Sequence, residues 1–366
     1  MKIRFNRQET ADALSAICSV AATRTPKPIL QSVLLEAHAD FLLLCATDLE
    51  IGIRFAVNQV EVDEEGATLV KADKLSQIVH ESSDEILNVE IDGSELHIRG
   101  ADSHFQIVTQ DPADFPPVPT LDADADFTIE FSVLRRLVEW TAFAAAREST
   151  RYAINGVLWE VKDGTLTLAA TDGRRLSCGR GALGNGSGEA TATAIIPVKA
   201  MNLLKGLSIE DDAPVAVKIT SNQMLLRVGP TTISTSLVEG RFPNYNDVIP
   251  KDCNLTVGVS TAEFQSALRR ASLLTNEESK GVRLSLSENR LTLSSRAPEQ
   301  GEATISMAAE YQGEPMEIGF NPQFLLDMVK VIDTERFELQ LKESNRPGMV
   351  RVGDDLTYVV MPVSLS

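Results

Sequence analysis

Residues 166–180 read LTLAATDGRRLSCGR. Alternating apolar residues run into Thr-Asp-Gly, and two arginines follow. That outline fits either a catalytic loop or a strand that turns a corner. Weaker copies stand at 42–54, LLLCATDLEIGIR, and at 291–307, LTLSSRAPEQGEATISM, where the Asp is lost and Arg296 takes the place of the corner. Superposing the three puts Leu44 with Leu168 and Leu293, at spacings of 124 and 125 residues. An independent helical stripe agrees. Leu75, Ile78 and Val79 match Ala200, Leu203 and Leu204, which match Leu325, Met328 and Val329, both steps being 125 residues. Each trio has the i, i+3, i+4 spacing of one buried helix face. A second stripe opens each copy: Ala13, Leu14 and Ile17; Leu134, Leu137, Val138 and Thr141; Phe264, Ala267, Leu268 and Ala271. The period is too long for a solenoid repeat and has the size of a domain.

Between the helices lie short alternating runs. VLLEAHADFLLLCA, GVLWEVKDGTLTLAA and VRLSLSENRLTLSS each read as strand, tight turn, strand, with HAD, KDG and SEN at the turns. After each second helix come ILNVEIDGSELHIRG, PVAVKITSNQMLLRVG and FELQLKESNRPGMVRVG, which read as further strands. Every copy is therefore helix, strands, helix, strands: two similar halves, six in all. Pro-rich joints, DPADFPPVPTLDADA at 111–125 and EGRFPNYNDVIPKD at 239–252, carry Phe115-Pro116 and Phe242-Pro243 at matching places. The expected fold is α+β, with three tandem domains at 1–124, 125–251 and 252–366.

Composition narrows the function. The 366 residues are 43% hydrophobic and 23% charged, ordinary for a chain with a packed core. No apolar run reaches the roughly 20 residues of a membrane-spanning helix, and MKIRFNRQETADAL lacks the apolar core of a signal peptide, so a cytoplasmic location is expected. Cys18, Cys45, Cys178 and Cys253 form no CxxC pair and read as free thiols in a reducing compartment. No histidine follows His104, which excludes a histidine triad or histidine metal site in the last two-thirds of the chain. GNGSG at 184–188 runs into the strand-like ATATAIIP, not into the helix a phosphate loop requires, and reads as a flexible hairpin loop. Neither GxSxG nor HExxH occurs, and no acid cluster has metal-ligand spacing, so neither cofactor nor metal is expected.

The net charge of −18 argues against nucleic acid until its distribution is considered. The helix windows 7–20, 71–80, 132–147, 197–206, 261–272 and 321–331 carry −1, +1, +2, +2, +1 and 0, a total of +5. The acid therefore sits on strands and loops. Arg135, Arg136, Lys199, Lys205, Arg269 and Arg270 lie off the apolar stripes. Such cations suit either solvated helix faces or one basic surface that meets phosphates without reading sequence.

TDGRRL, LVEGRFPNYNDVIP, SENRLTLSSRAPEQGEA, IGFNPQFLLDMV and the terminal YVVMPVSLS, in this order along the full length, resemble the bacterial sliding clamp family, the β subunit of the replicative DNA polymerase III. The resemblance implies a non-catalytic processivity factor. Two chains would join head to tail in a ring with helices inside and sheets outside. The ring would encircle duplex DNA without sequence specificity, and an ATP-dependent loader would open it. It would tether the replicative polymerase and other polymerases and repair proteins through short motifs.

Residue by residue, the resemblance places a client-peptide groove on Ile154, Thr171, Gly173, Arg174, Arg175 and Leu176, on Pro243 and Val248, and on Phe324, Val359, Val360, Met361, Pro362 and Val363. TDGRRL thereby acquires a role that its copies lack. Asp247 stands where some relatives carry Arg, Phe324 where some carry Tyr, and Ser366 extends past the usual end. The DNA side is Arg24 and Lys199, with Glu148 at a nearby inner-face position. The dimer joint is Lys74 and Arg99 on one side, and Leu273, Leu274, Glu299 and Glu302 on the other. Two rival functions follow from the residues alone: a hydrolase using Asp48 and Asp172 as a duplicated acid pair, and a peptide-binding scaffold that never encircles DNA.

Overall fold

A computed structural model describes residues 1–147, 153–184, 186–275, 281–298 and 300–364. The first copy runs β1 (Lys2–Asn6), α1 (Arg7–Val20), β2 (Ser32–His38), β3 (Phe41–Thr47), β4 (Ile51–Val57), β5 (Val60–Glu64), β6 (Gly66–Lys71), α2 (Ala72–Glu81), β7 (Ile86–Asp92), β8 (Glu95–Arg99) and β9 (His104–Val108). The second runs β10 (Phe127–Glu130), α3 (Phe131–Thr141), β11 (Gly156–Lys162), β12 (Thr165–Thr171), β13 (Arg175–Ala182), β14 (Ala192–Pro197), α4 (Val198–Lys205), β15 (Pro214–Ile219), β16 (Gln223–Val228) and β17 (Thr231–Ser236). The third runs β18 (Leu255–Ser260), α5 (Thr261–Ala271), β19 (Val282–Ser287), β20 (Arg290–Ala297), β21 (Gly301–Ala308), β22 (Met316–Phe320), α6 (Pro322–Val329), β23 (Arg336–Leu341), β24 (Gly348–Val352) and β25 (Leu356–Val360). The helix–strands–helix–strands rhythm holds in every copy.

The helices start where side chains can satisfy free amides. The Asn6 side-chain Oδ1 accepts from Glu9 N at 3.1 Å, and the Asn321 Oδ1 from Gln323 N at 2.9 Å with Pro322 in the first turn. Ser260 opens α5 with Glu263 three residues on. The apolar stripes are the buried faces. Ala13, Leu14, Ile17, Leu134, Leu137, Val138, Phe264, Ala267, Leu268 and Ala271 are essentially inaccessible, while Ile78 is half-buried beside buried Leu75 and Val79. The hairpins turn at the expected places. Asp163 and Gly164 both have positive φ, 50° and 72°, as a two-residue turn between right-twisted strands requires.

The chain divides into two compact units, and the division passes through the second copy. Unit one comprises 1–135, 183–190 and 199–237. It holds a five-stranded sheet, β5-β1-β7-β8-β9, and an eight-stranded sheet, β10-β15-β16-β17-β4-β3-β2-β6. Unit two comprises 136–182, 191–198 and 238–366. It holds an eight-stranded sheet, β14-β11-β12-β13-β25-β24-β23-β18, and a four-stranded sheet, β21-β20-β19-β22. Each eight-stranded sheet fuses half-sheets of two successive copies. The seam is β4 against β17 (Ile51↔Thr235) in unit one and β13 against β25 (Arg175↔Val360) in unit two.

On one face of each fused sheet lies a Pro-rich joint. Phe115 and Val118 bury against Leu43, Cys45 and Leu69, and Phe242 and Tyr245 against Leu158, Ala169, Leu176 and Cys178. Gly52 has no side chain because Val118 occupies its place: a Cβ there would come within 2.7 Å of Val118 Cγ1 and of Ser234 Oγ. Two expectations are corrected. Arg296 is not in a loop; β20 continues through it, pairing Arg296 with Glu302. Residues 184–188 do not close a hairpin, because β13 and β14 are separated by β11 and β12. The connection is pinned instead by Thr128, whose N–H donates to Ser187 Oγ at 3.0 Å and whose carbonyl accepts from Gly184 N at 2.7 Å. Asn185 lies outside the described residues.

Candidate functional site

The Thr-Asp corners are the same device built twice. Thr47 Oγ accepts from Leu49 N and donates to Ile51 O, while Asp48 Oδ1 accepts from Glu50 N and Ile51 N at 3.0 and 2.7 Å. In the second copy Thr171 Oγ accepts from Gly173 N and donates to Arg175 O, and Asp172 Oδ1 accepts from Arg174 N and Arg175 N at 2.9 and 3.1 Å. The residue after each Asp is left-handed, with Leu49 at φ 78° and Gly173 at φ 85°. Both carboxylates shape turns. Asp48 also pairs with Lys199. Burial pushes the Asp48 pKa up, but bonds from Lys199, Ile51 and Glu50 outweigh that and lower it below the usual carboxylate value.

Only the second corner carries Arg175. Its Nε meets Asp172 Oδ2 at 3.0 Å, Nη1 meets Asp327 Oδ2 at 2.8 Å, and Nη2 donates to Phe143 O at 2.8 Å. The guanidinium lies between two rings, 4.5 Å from Phe324 and 5.5 Å from Phe143. Burial lowers its pKa, yet the Asp327 bond and the surrounding negative groups raise it further, so the charge is locked in. Arg175 thus ties the corner to α6, and Tyr358 Oη donates to Phe324 O at 2.9 Å alongside it.

The other groove residues fall on two sides of this node. Ile154, Leu176 and Val359 belong to the apolar cluster under Phe242 and Tyr245. Val360 is fully buried and Thr171, Pro243 and Phe324 are half-buried. Gly173 and Arg174 are exposed. Val248 and Met361 are the exposed apolar side chains, at 54% and 44%. Met361 N donates to Arg174 O and Val363 N to Gly319 O, so the chain past β25, including half-buried Pro362, is zipped along the corner and β22. Small exposed backbone, two protruding apolar side chains and buried walls make a surface that can accept apolar anchors. Asp247 accepts from Asn244 Nδ2 at 2.8 Å within this joint. Ser366 lies outside the described residues.

Among the helix cations, Arg135 pairs with Asp211 and Lys199 with Asp48. Arg24, Arg136, Lys205, Arg269 and Arg270 are exposed, with no carboxylate within 4 Å among the described residues. Arg136 lies 5.1 Å from the Trp140 ring. Glu148 lies outside the described residues. Of the joint residues, Leu273 is 75% exposed, Leu274 is half-buried beside the Gly301 turn, and Glu302 is exposed on β21. Lys74 is exposed, and Arg99 bonds Glu90 at 3.2 Å. Glu299 lies outside the described residues.

Sequence patterning does not reveal which strands end a sheet. β9 ends the five-stranded sheet and β21 ends the four-stranded sheet, and Phe105 and Val108 of β9 are exposed at 36% and 72%. Alternation in HFQIV was the available signal, but alternation does not reveal which strand lacks a neighbour.

Among the described residues no group of three or more His, Cys, Asp or Glu could hold a metal ion. Among the described residues no helix is long and apolar enough to cross a membrane.

Comparison with known proteins matches three consecutive family models. They are the N-terminal, central and C-terminal domains of the DNA polymerase III beta subunit, at residues 1–119, 128–244 and 246–364. A Pseudomonas aeruginosa beta sliding clamp is 34% identical with all of both chains covered, and one from Vibrio cholerae is 30% identical with the same coverage. Among solved structures, a Pseudomonas aeruginosa sliding clamp aligns over both full chains with a TM-score of 0.92 at 33% identity. A DNA polymerase III beta subunit from Thermotoga maritima aligns over both full chains at 0.91 and 29%. The chain belongs to the DNA polymerase III beta subunit family, the bacterial sliding clamps, which are non-catalytic processivity factors of DNA replication.

Proposed function

We propose that two copies of this chain close head to tail into a ring around duplex DNA, through β9 of each chain and β21 of the other. One observation carries this. In sheet order, β4, β13 and β21 hold equivalent places in the three copies, and so do β17, β25 and β9. β4 pairs with β17 and β13 pairs with β25, both antiparallel. β21 and β9 are the pair left over within one chain. Antiparallel pairing of β21 with β9 of a second copy repeats the same seam. Using both edges at once gives a closed heterologous assembly. Leu273, Leu274, Lys74, Arg99, Glu299 and Glu302 supply the apolar centre and the charge complementarity.

The domains we assign are 1–124, 125–251 and 252–366, one per copy. Arg24, Arg136, Lys205, Arg269 and Arg270 face DNA as cations with no carboxylate within 4 Å among the described residues. Arg135 and Lys199 reach it only by exchanging their carboxylate partners. Weak, water-screened phosphate contacts suit a ring that slides, because retention is topological. The surface at Leu176, Pro243, Val248, Val360 and Met361 takes the apolar anchors of clients: the replicative polymerase catalytic subunit, other polymerases, repair proteins and an ATP-dependent loader. The protein works in the cytoplasm, on the nucleoid.

The test is retention on circular DNA. After loading, clamp should stay on a nicked plasmid through gel filtration at high salt and be lost when the plasmid is cut once. Equal loss from both forms refutes encirclement and leaves the peptide-binding scaffold.

A further inference from the structure

A cavity in unit two lies beyond the apolar anchors. It has a volume of about 450 Å³, and Arg180, Lys251 and Arg351 reach into its lining together with Asn246, Asp354 and Thr357. All three cations are exposed, and among the described residues none has a carboxylate within 4 Å. Glu338 faces Arg351 across the β23–β24 ladder, and Asp354 stands on the rim, yet neither closes on a cation. Three unpaired cations around one hollow are conspicuous in a chain of net charge −18.

The fold does not require them, because the first seam is an internal control. The seam registers equate Ile51 with Arg175 and therefore Ala56 with Arg180. Arg227 opposite Thr232 holds the place of Arg351 opposite Thr357. Counting from the matched Phe-Pro pairs, Asp124 holds the place of Lys251. The same architecture is thus built with one cation and one acid where the second seam carries three cations.

Position identifies the occupant. Leu176 and Arg180 point to the same face of β13, four residues or about 13 Å apart along the strand. The joint that carries Pro243 and Val248 continues through Asn246 and Ile249 to Lys251 over that face. An extended peptide anchored at Leu176 needs about four more residues to reach the cavity. We propose that this cavity is a charge-reading subsite that takes an acidic side chain of a client peptide about four to six residues from its apolar anchor. Arg180 and Arg351 each offer a planar fork to a carboxylate, and Lys251 adds a point charge. The proposal rests on the anchor groove above and adds to it a preference among clients.

The experiment uses the full chain and two labelled peptides that share one Leu-Phe anchor. One carries Glu at four to six residues on either side, and the other carries Gln there. Fluorescence anisotropy at low salt should show the Glu peptide binding about fivefold more tightly, the scale of a few solvent-exposed charge pairs. That advantage should vanish with Arg180→Gln plus Arg351→Gln, while the Gln peptide binds both proteins equally and the unfolding midpoint stays put. Equal binding of the two peptides by the native chain overturns the subsite, as does an advantage that survives the double substitution. Millimolar inorganic phosphate should weaken the advantage more than chloride of equal ionic strength, because an arginine fork that takes a carboxylate also takes phosphate; an advantage untouched by phosphate overturns the cationic cavity as its source. If neither peptide binds, the anchor groove itself is refuted.

Discussion

Replacing Arg175 with Met isolates the node that ties the second corner to α6. Methionine keeps an apolar stem against Phe324 but deletes the bonds to Asp172, Asp327 and Phe143 O, at 3.0, 2.8 and 2.8 Å. Removing one member of a buried ion pair costs about 3–5 kcal/mol. Here the two carboxylates are each 20% exposed and retain other donors: Arg174 N and Arg175 N for Asp172, Gln323 and Lys330 for Asp327. The expected loss is therefore at the low end, about 3 kcal/mol. Trp140 and Trp159 are the chain's two tryptophans and both lie in unit two, so urea unfolding followed by their fluorescence reports this unit. Asp327→Leu alone should also destabilise. Combined with Arg175→Met, the total should fall short of the sum by about 1–2 kcal/mol, the signature of a shared contact. A loss below about 1 kcal/mol, or strict additivity, would refute the node as the tie between corner and helix.

The other predictions address separate parts of the molecule. Leu273→Ala with Leu274→Ala should shift the dilution-dependent monomer–dimer transition upward at least tenfold, about 1.4 kcal/mol, for loss of two apolar side chains at the centre of the proposed interface; an unchanged midpoint in sedimentation removes these residues from the joint. Gly52→Val should lower the thermal midpoint of unit one by overpacking against Val118 and Ser234, at about 1–3 kcal/mol. Restoration by Val118→Ala is the check, and a silent Gly52→Val would deny the close approach.

The lowered pKa of Asp48 stabilises unit one fully above the usual carboxylate value of 3.8 and loses that contribution as pH falls through the lowered value. Lys199→Met should therefore flatten the acid limb of stability by less than about 1 kcal/mol, since the lysine is half exposed. An acid limb identical to that of the native chain contradicts the pairing. Burial raises the Cys45 thiol to about 12 and Cys178 to about 11. At pH 8 both should resist alkylation until urea unfolds the chain; rapid labelling in the folded state would show that their sheet faces open.

Much of the local architecture was legible because local structure is written in periodicities. Leu134, Leu137, Val138 and Thr141 are spaced for one helix face, and that face is buried for the same reason that an apolar stripe leaves water. Asp163-Gly164 is a turn because both residues tolerate positive φ. Arg296 departs from the expected corner because this copy has lost its Thr-Asp pair. The strand simply continues where no side chain caps the turn. The groove assignment rests on family resemblance, since the apolar cluster that holds Ile154, Leu176 and Val359 is gathered from separate segments of the chain.

The sequence by itself determined the threefold period, the helix faces, the hairpins and the acidic balance, because each depends on neighbours within a few residues or on a sum. Tertiary structure alone decided which strands find partners. Seams β4–β17 and β13–β25 form between strands more than a hundred residues apart, and the edges β9 and β21 stay open. Alternation places a side chain on one of two faces but says nothing about the backbone amides at an edge. Those amides bond to water unless the folded sheet, or a second chain, brings a strand alongside.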